Sequence, residues 1–550
     1  MRFLSSILFA LFISFSFAQD NFPLELTDQL PLDKRVRTGV LENGIKYYIQ
    51  YNQKPEKRME MRLAVNAGSM QENDNQQGLA HFTEHMCFNG SEHFKKNELI
   101  DFIESTGTKF GAHLNAYTSF DQTVYMLQIP TDSQLYIDKT FQIFSDWSKG
   151  VSFEEEEIDK ERGVVIEEWR LGQGAGERMR KQYWPILFKD SRYAERLPIG
   201  KKNILENSKY ETLKNFYKDW YRPDLMSVII VGDIDVDEME KKIKAYFSVN
   251  KTVSNPRKKE LYPVPDHKGT FISIVTDKEA TGHDVEIIYN HEKIPAIKTV
   301  ADYRKYLVRD LYQGMINNRL SELTQRANPP INYGYSYIGG YVRTKDNYTS
   351  YVSVKKENIM LGLKTILIEN ERVRQHGFTQ SELDRQKKSE LRAREKQAKE
   401  SDKAKSRNYA SGLVNYFLEG DANNVTSAKY DLALYKKYLP GITLAEVNNI
   451  INEWIKDDNN MVLIMGNSET PMPKEQEVRD LLKEVKSLKL DPYVDEVSDE
   501  PLISKIPKAG KVTKETLIKK VDVTKWTLSN GIEVFLKKTD FKNDEILFYA

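Results

Sequence analysis

"NFYKDWYRPDLMSVIIVGDID", residues 215–235, recurs in outline as "NIINEWIKDDNNMVLIMGNSE", residues 449–469. Each copy reads as an amphipathic helix ending at a tryptophan, then a turn, then an apolar strand closed by glycine. Trp220 pairs with Trp454 and Gly232 with Gly466, and one offset serves both pairs. "VSFEEEEIDKERG" from Val151 and "HGFTQSELDRQKK" from His376 resemble each other as well, each opening a charged helix. A chain that repeats itself over this length is expected to hold two homologous domains.

We place them at residues 30–255 and 256–490, joined through the Pro- and Lys-containing "SNPRKKELYPVPDHKG", with a further linker at 491–515. "VTKWTLSNGIEVFLKKTDFKNDEILFYA" from Val523 then repeats a signature met near the start. "LENG" at Leu41–Gly44 returns as "LSNG" at Leu528–Gly531, an Asn-Gly hairpin between alternating apolar residues. Residues 516–550 are therefore expected to begin a third, truncated domain whose last strand needs partners from further chain. The alternative is a hairpin that extends an existing sheet. Strand-like "MRLAVNAG", "TVYMLQI" and "MSVIIVG" alternate with helical "KNELIDFIESTG" and "SQLYIDKTFQIFSDWSKG". The pattern is α+β, with helices packed over mixed, largely antiparallel sheets.

Lys plus Arg and Asp plus Glu number 81 each, so nothing in the charge predicts a nucleic-acid partner. The opening "MRFLSSILFALFISFSFAQD" has one early cation, an apolar run and small residues before Ala18, and is expected to be a signal peptide over residues 1–18. No other run is long enough to cross a membrane, so export to the periplasm or beyond, without stable membrane insertion, is expected. The single cysteine, Cys87, rules out a disulfide within the chain and is read as buried packing.

The chemistry is concentrated in "QGLAHFTEHMCFNG", residues 77–90. Leu79, Phe82 and Met86 fall at helical spacing, and His81 and His85, four apart, share a face. Two imidazoles so placed reach one metal ion, with Glu84 beside it. Two histidines need a further ligand. "EEEEIDKERGVVIEEWR", Glu154–Arg170, offers acids, and Glu161 and Glu168 are seven apart on one helical face. We take Glu168 as the third ligand and Glu161 as a supporting carboxylate. Composition does not choose among these acids, and the spacing alone leaves open a polar helix without metal.

The H-x-x-E-H order is that of the inverzincins. "GLAHFTEHMCFNGSEHF", followed by "GAHLNAYTSFDQTVYMLQIP", resembles the pitrilysin–insulinase family of zinc peptidases, most of all its exported bacterial PqqL-like members. The resemblance is strong over residues 60–170 and weak over the rest. It implies LuxS/metallohydrolase-like halves, one Zn2+ per chain on His81, His85 and Glu168, and Glu84 and Glu161 in catalytic roles. It also implies that the second repeat, with Gln386 and Ala393 where Glu161 and Glu168 stand, holds no metal. The larger members close two halves around a chamber, and their fourth domain supplies an arginine and a tyrosine for the oxyanion. A missing C-terminal half or a partner subunit is implied here.

The resemblance makes the protein a zinc endopeptidase in which Glu84 takes a proton from water and returns it to the departing amine. "HLNAYTS", His113–Ser119, resembles the family's edge strand, to which a peptide or unfolded polypeptide adds as a further strand. Asn115, Ala116, Tyr117 and Thr118 are the expected substrate contacts, with Phe88 lining a side-chain pocket. His113 is read as structural. The competing expectation is a non-catalytic peptide-binding or scaffold half whose zinc is structural.

Overall fold

The computed structural model describes residues 22–108, 111, 114–420, 425–497, 500–501 and 503–550. The expected signal peptide and His113 lie outside the described residues. Strands β1 (Val36–Val40), β2 (Lys46–Tyr51), β3 (Arg58–Val65), β4 (Leu114–Thr118), β5 (Thr123–Pro130) and β6 (Met226–Gly232) form one sheet, ordered β1-β2-β6-β3-β5-β4. Strands β7 (Thr270–Asp277), β8 (His283–Glu292), β9 (Tyr333–Val342), β10 (Lys345–Val354) and β11 (Asn460–Asn467) form a second, ordered β7-β11-β8-β10-β9. Strand for strand the second sheet repeats β2-β6-β3-β5-β4. In each, the first pair runs parallel and the rest antiparallel.

The two halves of the opening repeat occupy matching places. Helices Tyr210–Trp220 and Leu444–Trp454 each end at a buried tryptophan and lead into the parallel strand β6 or β11. Each strand meets its glycine where its neighbour crowds that point. A Cβ on Gly232 would lie 2.5 Å from Met59 Cα, and one on Gly466 would lie 2.6 Å from the His283 ring.

β6 is buried along its whole length, as a continuous apolar run requires when both faces are covered. One face carries the first domain's own helices, including Gln134–Lys149 and Val236–Phe247, around Trp147, Trp220 and Phe141. The other is covered from the second domain. Helix Ser406–Leu418 lays Ala410, Leu413, Val414 and Phe417 against Tyr48, Ala64, Val124, Ile229 and Val231. The reciprocal contact is also made. Helix Ala175–Leu187 of the first domain packs Met179 and Leu187 with Val275, Met461 and Leu463 of the second sheet. Under the offset of the repeat these two helices are equivalents, so each repeat lends the same helix to the far face of the other's sheet.

Residues 22–29, unassigned in the sequence, and Leu30, placed there at the start of the first domain, dock on the second domain: Leu30 N–H donates to the Lys298 carbonyl at 2.8 Å, and Phe22 and Leu24 join its core. β12 (Val512–Ile518), β13 (Val523–Leu528) and β14 (Glu533–Leu536) make a separate three-stranded sheet that extends neither large one. β12 opens inside the stretch expected as linker, and residues 537–550 carry no strand.

The exchanged helices predict a measurable cost. Leu413 is fully buried between Ser406–Leu418 and the first sheet. Leu413→Ala should lower the unfolding free energy by about 2–4 kcal/mol in chemical denaturation. A loss below about 0.5 kcal/mol, the ordinary effect of a surface change, would show that this contact contributes little.

Candidate metal centre

The helix Leu79–Met86 is short and begins under constraint. Gly78 has φ +101°, a left-handed backbone, and a Cβ there would press to 3.1 Å from Gly200 Cα. The buried Glu72 carboxylate accepts the N–H groups of Gly78 and Ala80 at 3.0 and 2.8 Å, supplying acceptors that the helix's first turn lacks. Leu79, Phe82 and Met86 are buried in the first core. That fixes the opposite face, which carries His81, Glu84 and His85 into an open pocket.

The acidic helix Glu155–Leu171 runs beside it and presents Glu161, Val164 and Glu168 to the same pocket. His81 Nε2 and His85 Nε2 are 3.3 Å apart. Glu168 places Oε1 3.6 Å from His81 Nε2 and Oε2 3.3 Å from His85 Nε2. Tetrahedral zinc with nitrogen and oxygen ligands at about 2.0–2.1 Å sets those atoms about 3.3–3.4 Å from one another. The three donors therefore fit one zinc ion, and their chemistry, two imidazoles and a carboxylate, is a usual zinc set that keeps a position open.

Glu161 stands behind this set. Its Oε1 accepts from His85 Nδ1 at 2.8 Å, which leaves the Nε2 lone pair facing the centre. His81 Nδ1 is buried with no such partner. Burial opposes charge on His85, but Glu161 and Glu168 outweigh it and lift the imidazole to about 9. Burial and the neighbouring His85 push His81 down to about 4. The hydrogen bond from His85 draws Glu168 below the usual carboxylate range. Without metal, one proton is thus held between His85 and its carboxylates, where a cation is favoured.

Glu84 is buried, and burial raises its carboxyl to about 7. Its Oε2 accepts from Thr118 Oγ1 at 2.6 Å. Thr118 ends β4, the edge strand, whose one sheet partner is β5. Leu114 is buried while Asn115 and Tyr117 are exposed on the other face, and Ala116 leans on the first core. The Ala116 N–H donates to Asn115 Oδ1 at 2.9 Å. Phe88 both lines the pocket and packs on Trp147, ring centroids 5.2 Å apart.

All ten residues singled out in the sequence line this one pocket of about 600 Å³. Val164, Pro198 and Ile199 line it too and were missed. Val164 lies between Glu161 and Glu168 on their helix face and was legible from spacing. Pro198 and Ile199 arrive through the Gly78–Gly200 contact, which leaves no local signal. Glu167 pairs with Arg170 at the surface, and Cys87 is buried, as expected, with Sγ 3.2 Å from the Tyr125 hydroxyl.

The second domain has no comparable grouping among the described residues. Gln386 donates to Glu390 and accepts from Asn318, and nearby Arg319 forms a buried two-bond pair with Glu382 at 2.7 and 2.9 Å. The other grouping of potential ligands, Glu92, His93 and Asp146, is a loop clamp in which Asp146 accepts from Ser91, Gln142 and the His93 backbone.

Two models of one peptidase family match the chain. The family described as "Insulinase (Peptidase family M16)" matches residues 48–176, and "Peptidase M16 inactive domain" matches residues 208–390. A "Zinc protease PQQL-like" of Arabidopsis thaliana is 30% identical over 93% of this chain and 50% of its own length. A "Probable zinc protease PqqL" of Escherichia coli (strain K12) is 31% identical over 95% of this chain and 56% of its own. The chain thus spans about half the length of these relatives. The crystal structure of the first half of the periplasmic protease PqqL from Escherichia coli superposes with a TM-score of 0.79 at 29% identity, covering 85% of this chain and 100% of that one. With two models of one peptidase family matched over residues 48–176 and 208–390, the chain belongs to the insulinase family, M16.

Proposed function

We propose that this chain is the zinc-bearing part of an exported endopeptidase that cuts peptides or unfolded segments held as an added strand beside His81, Glu84 and His85. The observation that carries it is the convergence of His81 Nε2, His85 Nε2 and a Glu168 carboxylate at 3.3–3.6 Å beside a buried glutamate. The zinc-protease relatives and the PqqL likeness support the same class. Residues 1–18 would direct export, and among the described residues no helix is long and apolar enough to cross a membrane.

His81, His85 and Glu168 would hold one Zn2+. Bound there, zinc would supply Lewis acidity toward the scissile carbonyl and toward water. Glu84 accepts the water proton on its carboxylate and hands it to the leaving amine. Thr118, donating to Glu84 Oε2, fixes the carboxylate and leaves Oε1 for the proton. Glu161 keeps the His85 ring in the tautomer that binds metal. The substrate backbone pairs along β4, where its carbonyl replaces Asn115 Oδ1 as acceptor of the Ala116 N–H. Alternate substrate side chains then face Phe88 and Tyr117.

Among the described residues, no lysine or arginine lines the pocket. A cationic donor for the oxyanion would then come from elsewhere, and the half-length match to the relatives fits a further half or a partner subunit. That favours a second reading for this chain alone: a peptide-binding half whose zinc is structural. Glu84→Gln separates the two. In the longer protein it should keep zinc and lower peptide hydrolysis about 10²–10⁴-fold. Unchanged hydrolysis with zinc retained would remove Glu84 from the chemistry.

Metal binding carries a pH signature. Because the metal-free site holds a proton on His85 up to about pH 9, zinc must displace it. Apparent affinity should rise about tenfold per pH unit between roughly 7 and 8.5 and level off above 9, with about one proton released per ion. Calorimetry in buffers of differing ionisation enthalpy reads that number. A release near zero at about pH 7.5 would contradict the arrangement.

A further inference from the structure

The hairpins β4–β5 and β9–β10 are equivalents in the two repeats, and their tips meet. Arg343, in the turn between β9 and β10, reaches into the first domain. Its Nη1 donates to Asn66 Oδ1 at 3.1 Å and its Nη2 to Gln122 Oε1 at 3.3 Å, while Nη1 also donates, within its own domain, to the Leu418 carbonyl at 2.7 Å. Its Nε lies 3.9 Å from Asp121 Oδ2, an oxygen that also accepts from the Tyr193 hydroxyl at 3.0 Å. Asp121 and Gln122 belong to the turn that joins β4 to β5. Gln122 continues the chain of contacts, donating through Nε2 to the Tyr117 hydroxyl at 3.2 Å.

The turn is pinned from the first domain as well. Ser69 and Met70 donate backbone N–H groups to the carbonyls of Ser119 and Phe120 at 3.1 and 2.8 Å. A Cβ on Gly68 would lie 2.2 Å from the Ser119 carbonyl oxygen, so the two backbones are in close contact. These bonds fix the main chain of the turn and leave the Gln122 side chain to the second domain. A guanidinium suits such a junction because its planar fork bonds several acceptors at once in set directions. Lys259 Nζ, from the segment between the domains, meets the same Asn66 oxygen, so three parts of the chain converge on this point.

We propose that Arg343 is a positioning residue: through Gln122 it sets Tyr117 and the end of the substrate edge strand, so the metal-free domain takes part in binding substrate. The proposal rests on the strand-addition reading of β4. It assigns Arg343 no contact with the reacting atoms. Its removal should therefore act on substrate capture and spare the chemical step, since Glu84, Thr118 and the metal ligands keep their partners.

The test uses the complete protein loaded with zinc and an unstructured peptide substrate. Arg343→Met should raise KM about tenfold and leave kcat within about twofold. Gln122→Leu, which spares the Arg343 bonds to Leu418 and Asn66, should raise KM to a similar degree with an unchanged unfolding midpoint. The double variant should be no worse than the poorer single one, because both cut the same connection. Should Arg343→Met fail to fold, Gln122→Leu decides alone. A KM within about twofold of the parent in Gln122→Leu, or penalties that multiply in the double variant, overturns the proposal. Ala116→Pro, which removes the edge N–H, is the separate control. If it leaves KM unchanged, strand addition itself is wrong, whatever Arg343 does.

Discussion

His81, His85 and Glu168 bring their polar atoms to 3.3–3.6 Å of one another, a spacing that suits a cation between them. Unprotonated imidazole nitrogens and a carboxylate crowded together repel through their lone pairs. In the metal-free site a proton on His85 supplies a positive charge there, and although burial opposes it, the Glu161 and Glu168 carboxylates hold that proton firmly. The protein holds the cluster by means that do not involve the ligands alone. Leu79, Phe82 and Met86 anchor one helix in the core, and Glu161 ties the second helix to His85. A Coulombic problem is settled by apolar packing on the far sides of the elements that carry the charge.

The same logic explains why two repeats are needed to support one centre. A mixed sheet with a continuous apolar central strand must be covered twice. Each repeat has helices enough for one face and borrows the helix for the other. The exchange covers the interior of the first sheet and leaves β4 free at its margin, beside His81, His85 and Glu168. In the second repeat the space near Gln386 is filled by the buried Arg319–Glu382 pair, where a fixed guanidinium carries the positive charge. Its work is then architectural: covering the first sheet, and reaching the β4–β5 turn through Arg343.

Much of this was written locally. Histidines four apart, an apolar face at matching spacing and carboxylates seven apart state their own geometry, because a helix converts spacing into direction. The duplication was legible because tryptophan and glycine meet the same steric demands in both copies. What the sequence did not disclose depends on long-range approach. Pro198 and Ile199 enter the pocket through the contact of Gly78 with Gly200, two glycines far apart along the chain. The exchanged helices carry ordinary amphipathic patterns that name no partner. Residues 22–30 have too little pattern to reveal their docking, and β12 is so exposed that its composition resembles the linker before it.

At the centre of all this stand a coordination number and a ligand set. X-ray absorption at the zinc edge, on protein reconstituted with one equivalent of Zn2+, measures both. The expected spectrum shows four nitrogen or oxygen neighbours at about 2.0–2.1 Å, with outer-shell scattering from two imidazoles and no sulfur. Glu168→Ala should change the first shell while preserving the two-imidazole signal. One imidazole or three, or a first shell untouched by Glu168→Ala, would contradict it.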